Sequence, residues 1–195
     1  MRLKNSWPIR NYHYQNPTEM KSYPLICSVI LLLFACEGKQ RYTQQSAEIE
    51  AIKSIISSYE SGDFEAYLPH YAEGAQIFFN ATEDNPATIQ EIIAQQKLEL
   101  EAFSSYSFDR EQDYLEMVTD DKGEIWVNYW GVWKGTMAAN GKTFETPIHM
   151  TTQFVDGKIV KSHGYWDNAP IRIAIMELQA AAAAEAALEK PDGEE

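Results

Sequence analysis

Between residues 49 and 59 apolar side chains recur at helical spacing: Ile49, Ile52, Ile55, Ile56 and Tyr59, separated by Glu50, Lys53 and Ser57. That pattern puts one apolar stripe on an α-helix. The stripe ends at Ser61-Gly62, and Asp63 stands where it would cap a short second helix holding Phe64, Tyr67, Leu68 and Tyr71. Gly74 is expected to break that helix, and Gln76 to Phe79 reads as a strand. Thr88-Ile-Gln-Glu91 has the form of a capping box, and a third helix with Ile89, Ile92, Ile93, Leu100 and Phe103 should follow it.

Beyond Ser104 the chain turns aromatic and β-branched. Asn140-Gly141 and Asp156-Gly157 are hairpin signals. They divide three long strands, roughly 124–136, 143–155 and 158–167, with a weaker strand or pair in 106–118. Helices first and an antiparallel meander afterwards make an α+β layer arrangement, with helices on one sheet face. Residues 171–188 include five consecutive alanines and should be helical; 189–195 are charged and expected to be disordered.

The N-terminal part does not fit this domain. Residues 25–35 form an uncharged apolar run of eleven, followed by Cys36. A bilayer span needs roughly 20 apolar residues, whereas a signal-peptide core needs about 7–15 after a basic residue. Lys21 supplies that charge and Met20 a start, which makes 1–19 a misassigned upstream extension of a signal peptide ending at residue 35. Leu33-Phe34-Ala35-Cys36 resembles the lipobox of bacterial lipoproteins, apart from the large Phe34. The resemblance implies cleavage before Cys36 and lipidation of its thiol. Residues 36–45 are then a polar tether. The expected location is the cell envelope, with the outer membrane favoured over the inner.

Cysteine count and charge narrow the picture. Cys27 lies in the segment to be removed, so Cys36 would be the lone cysteine and no internal disulfide can form. The whole chain carries −13; without residues 1–36 it has 12 basic and 28 acidic side chains, or −16. No basic stripe remains for phosphates, which argues against nucleic acid. No His, Cys, Asp or Glu spacing makes a metal site, no glycine-rich phosphate loop appears, and no cofactor is expected.

The run Ser-Gly-Asp-Phe-Glu-Ala-Tyr (61–67), then Tyr-Ala-Glu-Gly-Ala (71–75) into a strand, and the late Phe-Val-Asp-Gly-Lys-Ile-Val (154–160) before Tyr-Trp-Asp (165–167) carry a resemblance over about residues 46–170. The chain resembles the nuclear transport factor 2-like superfamily, which includes ketosteroid isomerases and SnoaL-like polyketide cyclases. The resemblance implies a cone: a bent sheet wrapped by helices and open at one end to a pocket. Two isomerase roles fall on Ile55 and Phe79, which cannot fill them; the third, a hydrogen-bond donor, falls on His149. The acid/base of the cyclases falls on Asp167.

With a two-residue turn at Asp156-Gly157, residues summing to 313 should face one another: His149 with Gly164, Pro147 with Trp166, Thr151 with Ser162. His149 and Asp167 should then point to opposite faces. On the preceding strand Trp126 and Trp130 should share one face, Tyr129 and Trp133 the other. Two pocket readings remain open beside a third. One is a small, largely apolar ligand held by Trp130, Tyr129 and Trp166 with His149 as polar anchor. Another is a cyclase-type enzyme using Asp167 as acid/base with His149 as donor. The third is an interaction module, including a homodimer, in which no ligand enters.

Overall fold

The computed structural model describes residues 41–188 of the chain. The elements run β1 (Tyr42–Thr43), α1 (Ala47–Ser61), a 3-10 helix (Phe64–His70), β2 (Tyr71–Phe79), α2 (Ile89–Leu100), β3 (Phe103–Phe108), β4 (Tyr114–Thr119), β5 (Ile125–Met137), β6 (Thr143–Val155), β7 (Lys158–Trp166) and α3 (Ala169–Leu188). The seven strands form one sheet in the order β1-β4-β5-β6-β7-β2, with β3 pairing β5 beside β4. All pairs are antiparallel except β2 with β7. This is the α+β curved sheet with helices that the sequence implies.

The helices form for local reasons. Ser46 caps α1, its Oγ accepting from the Ile49 N–H at 3.2 Å, and Gly62 ends it in the left-handed region at φ 74°. Thr88 and Glu91 form the expected reciprocal box: the Glu91 N–H donates to Thr88 Oγ1 at 3.2 Å and the Thr88 N–H to Glu91 Oε2 at 2.8 Å. Asp63 makes no side-chain cap. Gly74, at φ 75°, sits inside β2 rather than between elements, where the β2–β7 register is irregular.

The core lies between the helices and one sheet face. Ile49, Ile52 and Ile56 of α1 pack on Val127, Tyr129, Phe154 and Ile159. A second cluster joins Phe64, Tyr67 and the α2 isoleucines to Ile77, Trp133, Met137 and Phe144. Each buried aliphatic side chain contributes about 1.5–3 kcal/mol relative to exposure.

Other boundaries also differ from the sequence reading: Tyr71 and Phe103, expected within helices, begin β2 and β3. Tyr42–Thr43, inside the expected tether, pairs with Val118 and Met117, and Arg41 adds an ion pair to Asp121 at 2.7 Å. The Asn140-Gly141 turn sits in a longer loop, closed by Met137 N–H to Lys142 O at 2.8 Å. The final helix starts at Ala169, two residues early. The expected signal peptide, the lipobox at Cys36, most of the tether and the charged tail at 189–195 lie outside the described residues.

The most consequential difference is in the last hairpin. Asp156 and Gly157 form the two-residue turn, both with positive φ (51° and 73°), and Val155 faces Lys158 and Phe154 faces Ile159 as expected. Then Gln153 faces Lys161, so Val160 is an extra residue. This β-bulge moves every later pair by one: His149 faces Tyr165, Met150 faces Gly164, Thr152 faces Ser162 and Ile148 faces Trp166. A shift of one residue exchanges sheet faces. Gly164 and Trp166 therefore lie inside, opposite Met150 and Ile148, while His149 lies outside.

Candidate functional site

The bulge divides the expected pocket residues between two faces. Along β5 the expected alternation holds. Tyr129 and Trp133 are buried, at 1% and 6% exposure, and Trp130 on the other face is 40% exposed. His149 sits beside Trp130 on that outer face, the rings stacked at 4.7 Å, and its Nδ1 lies 3.2 Å from the Tyr129 carbonyl oxygen. Trp166 is inside, edge-on to Phe79 at 5.2 Å. Trp130 and His149 thus cannot share a cavity with Tyr129 and Trp166. Asp167 is exposed, and its Oδ1 accepts the Ala169 N–H at 2.9 Å, a turn at the start of α3.

Inside the sheet, three aromatic rings lie along their own strands because glycine clears the space two residues away. A Cβ on Gly131 would overlap the Tyr129 ring, one on Gly135 the Trp133 ring, and one on Gly164 the Trp166 and Phe79 rings. Tyr129 ends in a hydrogen bond to Asp113 Oδ1 at 2.7 Å. Asp113 also pairs with Arg110 at 3.1 Å, and Arg110 reaches Glu60, whose Oε1 accepts the Phe108 N–H at 2.7 Å. This network ties the β3–β4 turn to the end of α1. All its partners are satisfied, so its role is structural.

A different group of polar atoms meets in the apolar interior. Tyr59 on α1, Tyr67 on the 3-10 helix, Tyr71 at the start of β2 and Tyr106 on β3 all belong to the cluster around Phe64 and Trp133. The Trp133 indole N–H donates to Tyr59 Oη at 3.0 Å, and the Tyr59 ring sits edge-on to Tyr106 at 5.4 Å and Phe64 at 6.2 Å. The Tyr67 phenol is close enough to feel the charge states of Tyr59, Tyr71 and Tyr106. Burial pushes the Tyr59, Tyr67 and Tyr71 phenols well above the ordinary range, and no hydrogen bond moderates Tyr67 or Tyr71. At neutral pH these groups stay protonated and act as hydrogen-bond donors, not bases.

Sequence periodicity does not single out this cluster, although its residues stand in apolar runs. Tyr59 lies on the apolar stripe of the first helix, and Tyr67 and Tyr71 are four apart in the next apolar run. That spacing marks all three as packing positions. Tyr67 and Tyr71 join one cluster because β2 follows the 3-10 helix directly, with no linker between them.

α3 covers the same cluster lightly. Ile171, Ala174, Ile175 and Leu178 pack against it, whereas Ile173 and Met176 are exposed. A separate open groove of about 230 Å³ lies among Gln44, Ile49, Lys53, Asp113, Tyr114 and Leu115. It sits at the N-terminal half of α1, about 15 Å along the helix from Tyr59 at 1.5 Å per residue, and brings together none of the buried phenols. Among the described residues no group of His, Cys, Asp or Glu could hold a metal, and no helix is long and apolar enough to cross a membrane.

No family model matches the chain, and no curated protein matches it in sequence. Solved structures do match its fold. IdmH, a candidate polyketide cyclase from Streptomyces antibioticus, is 18% identical with a TM-score of 0.51, covering 62% of this chain and 92% of its own. A candidate polyketide cyclase from Xanthomonas campestris is 15% identical with a TM-score of 0.52, over 64% and 93%. An NTF2-like protein from Burkholderia pseudomallei is 12% identical with a TM-score of 0.51, over 65% and 95%. At these identities the likeness is one of fold: the domain has the nuclear transport factor 2-like cone.

Proposed function

We propose that the protein is a lipoprotein of the bacterial cell envelope, anchored through Cys36, whose cone binds a small, largely apolar molecule carrying a hydrogen-bond acceptor. The observation that supports this reading is the convergence of Tyr59, Tyr67 and Tyr71. Tyr67 is buried and Tyr59 and Tyr71 are half-buried in an aromatic surround that holds all three phenols neutral, and two of them carry no hydrogen bond that lowers their pKa. Their hydroxyls are free to donate to a ligand carbonyl or hydroxyl oxygen, a hydrogen bond worth about 0.5–1.5 kcal/mol. The aromatic walls supply the apolar contact usual in small-molecule sites. Entry would follow displacement of α3, which rests on the cluster through one short stripe.

This reading keeps Trp166 near the ligand through Phe79 and gives Tyr129 a wall position. It moves the polar anchor from His149 to the tyrosines. Binding without turnover is favoured, because neutral phenols do not take up protons and Asp167 is occupied at the start of α3. The test uses the mature protein and the naphthyl ketone Prodan, an apolar probe with one carbonyl acceptor. Prodan should bind with blue-shifted emission, and Tyr67→Phe and Tyr71→Phe should each weaken binding about 2- to 13-fold, the equivalent of a 0.5–1.5 kcal/mol hydrogen bond. Unchanged affinity in both variants would remove the phenols from the site.

A further inference from the structure

On the face turned away from the core, Tyr114, Trp130, His149 and Tyr165 occupy one register row across β4, β5, β6 and β7. Tyr114, Trp130 and Tyr165 are 42%, 40% and 51% exposed. Tyr42 on β1 extends the row: its hydroxyl lies 2.8 Å from that of Tyr114. Contiguous exposed aromatic surface of this kind marks an interaction site.

The ring geometry narrows the occupant. Trp130 stands between Tyr114, centroids 5.5 Å apart, and His149, 4.7 Å away and nearly parallel at 26°. One face is covered by His149 and the tilted Tyr114 ring crowds the ring from the neighbouring strand, so a sugar or base finds no open flat platform there. Outward-facing edges combine an apolar body with a polar tip, the character that places Trp and Tyr at membrane–water interfaces. Chain length points the same way. Cys36 and Tyr42 are six residues apart, which allows at most roughly 20 Å at 3.3–3.6 Å per residue. A lipid on Cys36 would keep Tyr42, the β1 end of the row, within that distance of the headgroups.

We infer that this aromatic row is a bilayer-interface contact that sets the outer sheet face against the membrane. The inference rests on the lipid anchor of the reading above. Because the chain is acidic, the contact would be apolar and insensitive to salt, in contrast to binding through anionic lipid.

The test reconstitutes the mature protein in phosphatidylethanolamine vesicles whose acyl chains are brominated near the headgroup, and reads tryptophan quenching. Wild type should be quenched equally at low and high salt. In a Trp126→Phe background, which removes the other outer-face tryptophan, Trp130→Phe should lose most of that quenching, because Trp133 is buried and Trp166 faces inward. Equal quenching with and without Trp130 in that background would overturn the inference. So would an unquenched protein whose Tyr165→Cys variant cross-links to a second copy, since that copy would then cover the row. The mass of the mature N-terminus separates the two ideas. Acylated but unquenched protein refutes the contact alone, whereas an unacylated N-terminus refutes the anchor and the contact with it.

Discussion

Replacing Gly164 by alanine puts a methyl carbon 2.7 Å from Phe79 Cδ1 and 2.7 Å from Trp166 Cζ3. Real Cβ contacts are essentially never that short, and both neighbours are rings packed edge-on to each other. The strand or the rings must move, and overpacking of this kind costs about 1–3 kcal/mol. For a domain of this size each kcal/mol lowers Tm by about 2–4 °C, so Gly164→Ala should melt about 2–12 °C below wild type by circular dichroism. Tyr165→Ala, one residue along but on the outer face and 51% exposed, should stay within about 0.5 kcal/mol. The contrast depends wholly on the bulge at Val160. Without it Gly164 would face outward beside His149 and accept a methyl group freely. An unchanged Tm for Gly164→Ala would refute the bulged register and with it the division of the site residues between two faces.

Other consequences are open to simple assays. Asp113→Ala leaves the Tyr129 hydroxyl without its acceptor and Arg110 with Glu60 as its remaining carboxylate, which should cost about 1–3 kcal/mol in urea unfolding; Asp113→Asn should recover part of the loss. Thr88→Ala removes the α2 cap and should cost about 1 kcal/mol. The carboxyls of Glu91, Asp109 and Asp120 are held below their ordinary range, Glu91 and Asp120 chiefly by backbone N–H donors and Asp109 by Lys134. A depressed carboxylate stabilises the fold above its unfolded pKa and loses that contribution as pH falls through the folded value. Thermal stability should therefore hold from neutrality and decline below about pH 4, the ordinary carboxyl range. The phenols behave oppositely. Because burial raises Tyr59, Tyr67 and Tyr71, their contribution persists below about pH 10, the unfolded phenol pKa, and is lost above it. Absorbance at 295 nm should show them ionising only with unfolding.

Most of the architecture was legible because it rests on local signals. The apolar stripe of α1, the Thr88 capping box and the Asp156-Gly157 turn each have a physical cause confined to a few residues. The face assignments along β5 also followed from strict alternation. What alternation could not supply was the bulge. Val160 looks like any β-branched strand residue, yet as an unpaired insertion it turns Gly164 and Trp166 inward, away from His149, which lies outside through its pairing with Trp130. Tyr42–Thr43 escaped for a related reason: two residues carry no period, and their strand exists only through β4. Asp167 stood in the expected sequence position, but its side chain completes a turn. The tyrosine cluster is a property of three-dimensional convergence, since Tyr59, Tyr67, Tyr71 and Tyr106 come from four elements.

The central claim is that the neutral phenols of the interior hold a small molecule, and native mass spectrometry of protein extracted from its own membranes addresses it most directly. Wild type should carry a small-molecule adduct, and the Tyr67→Phe/Tyr71→Phe double variant should lose it while remaining folded. Wild-type protein free of any adduct, or an adduct retained undiminished by the double variant, would contradict the account.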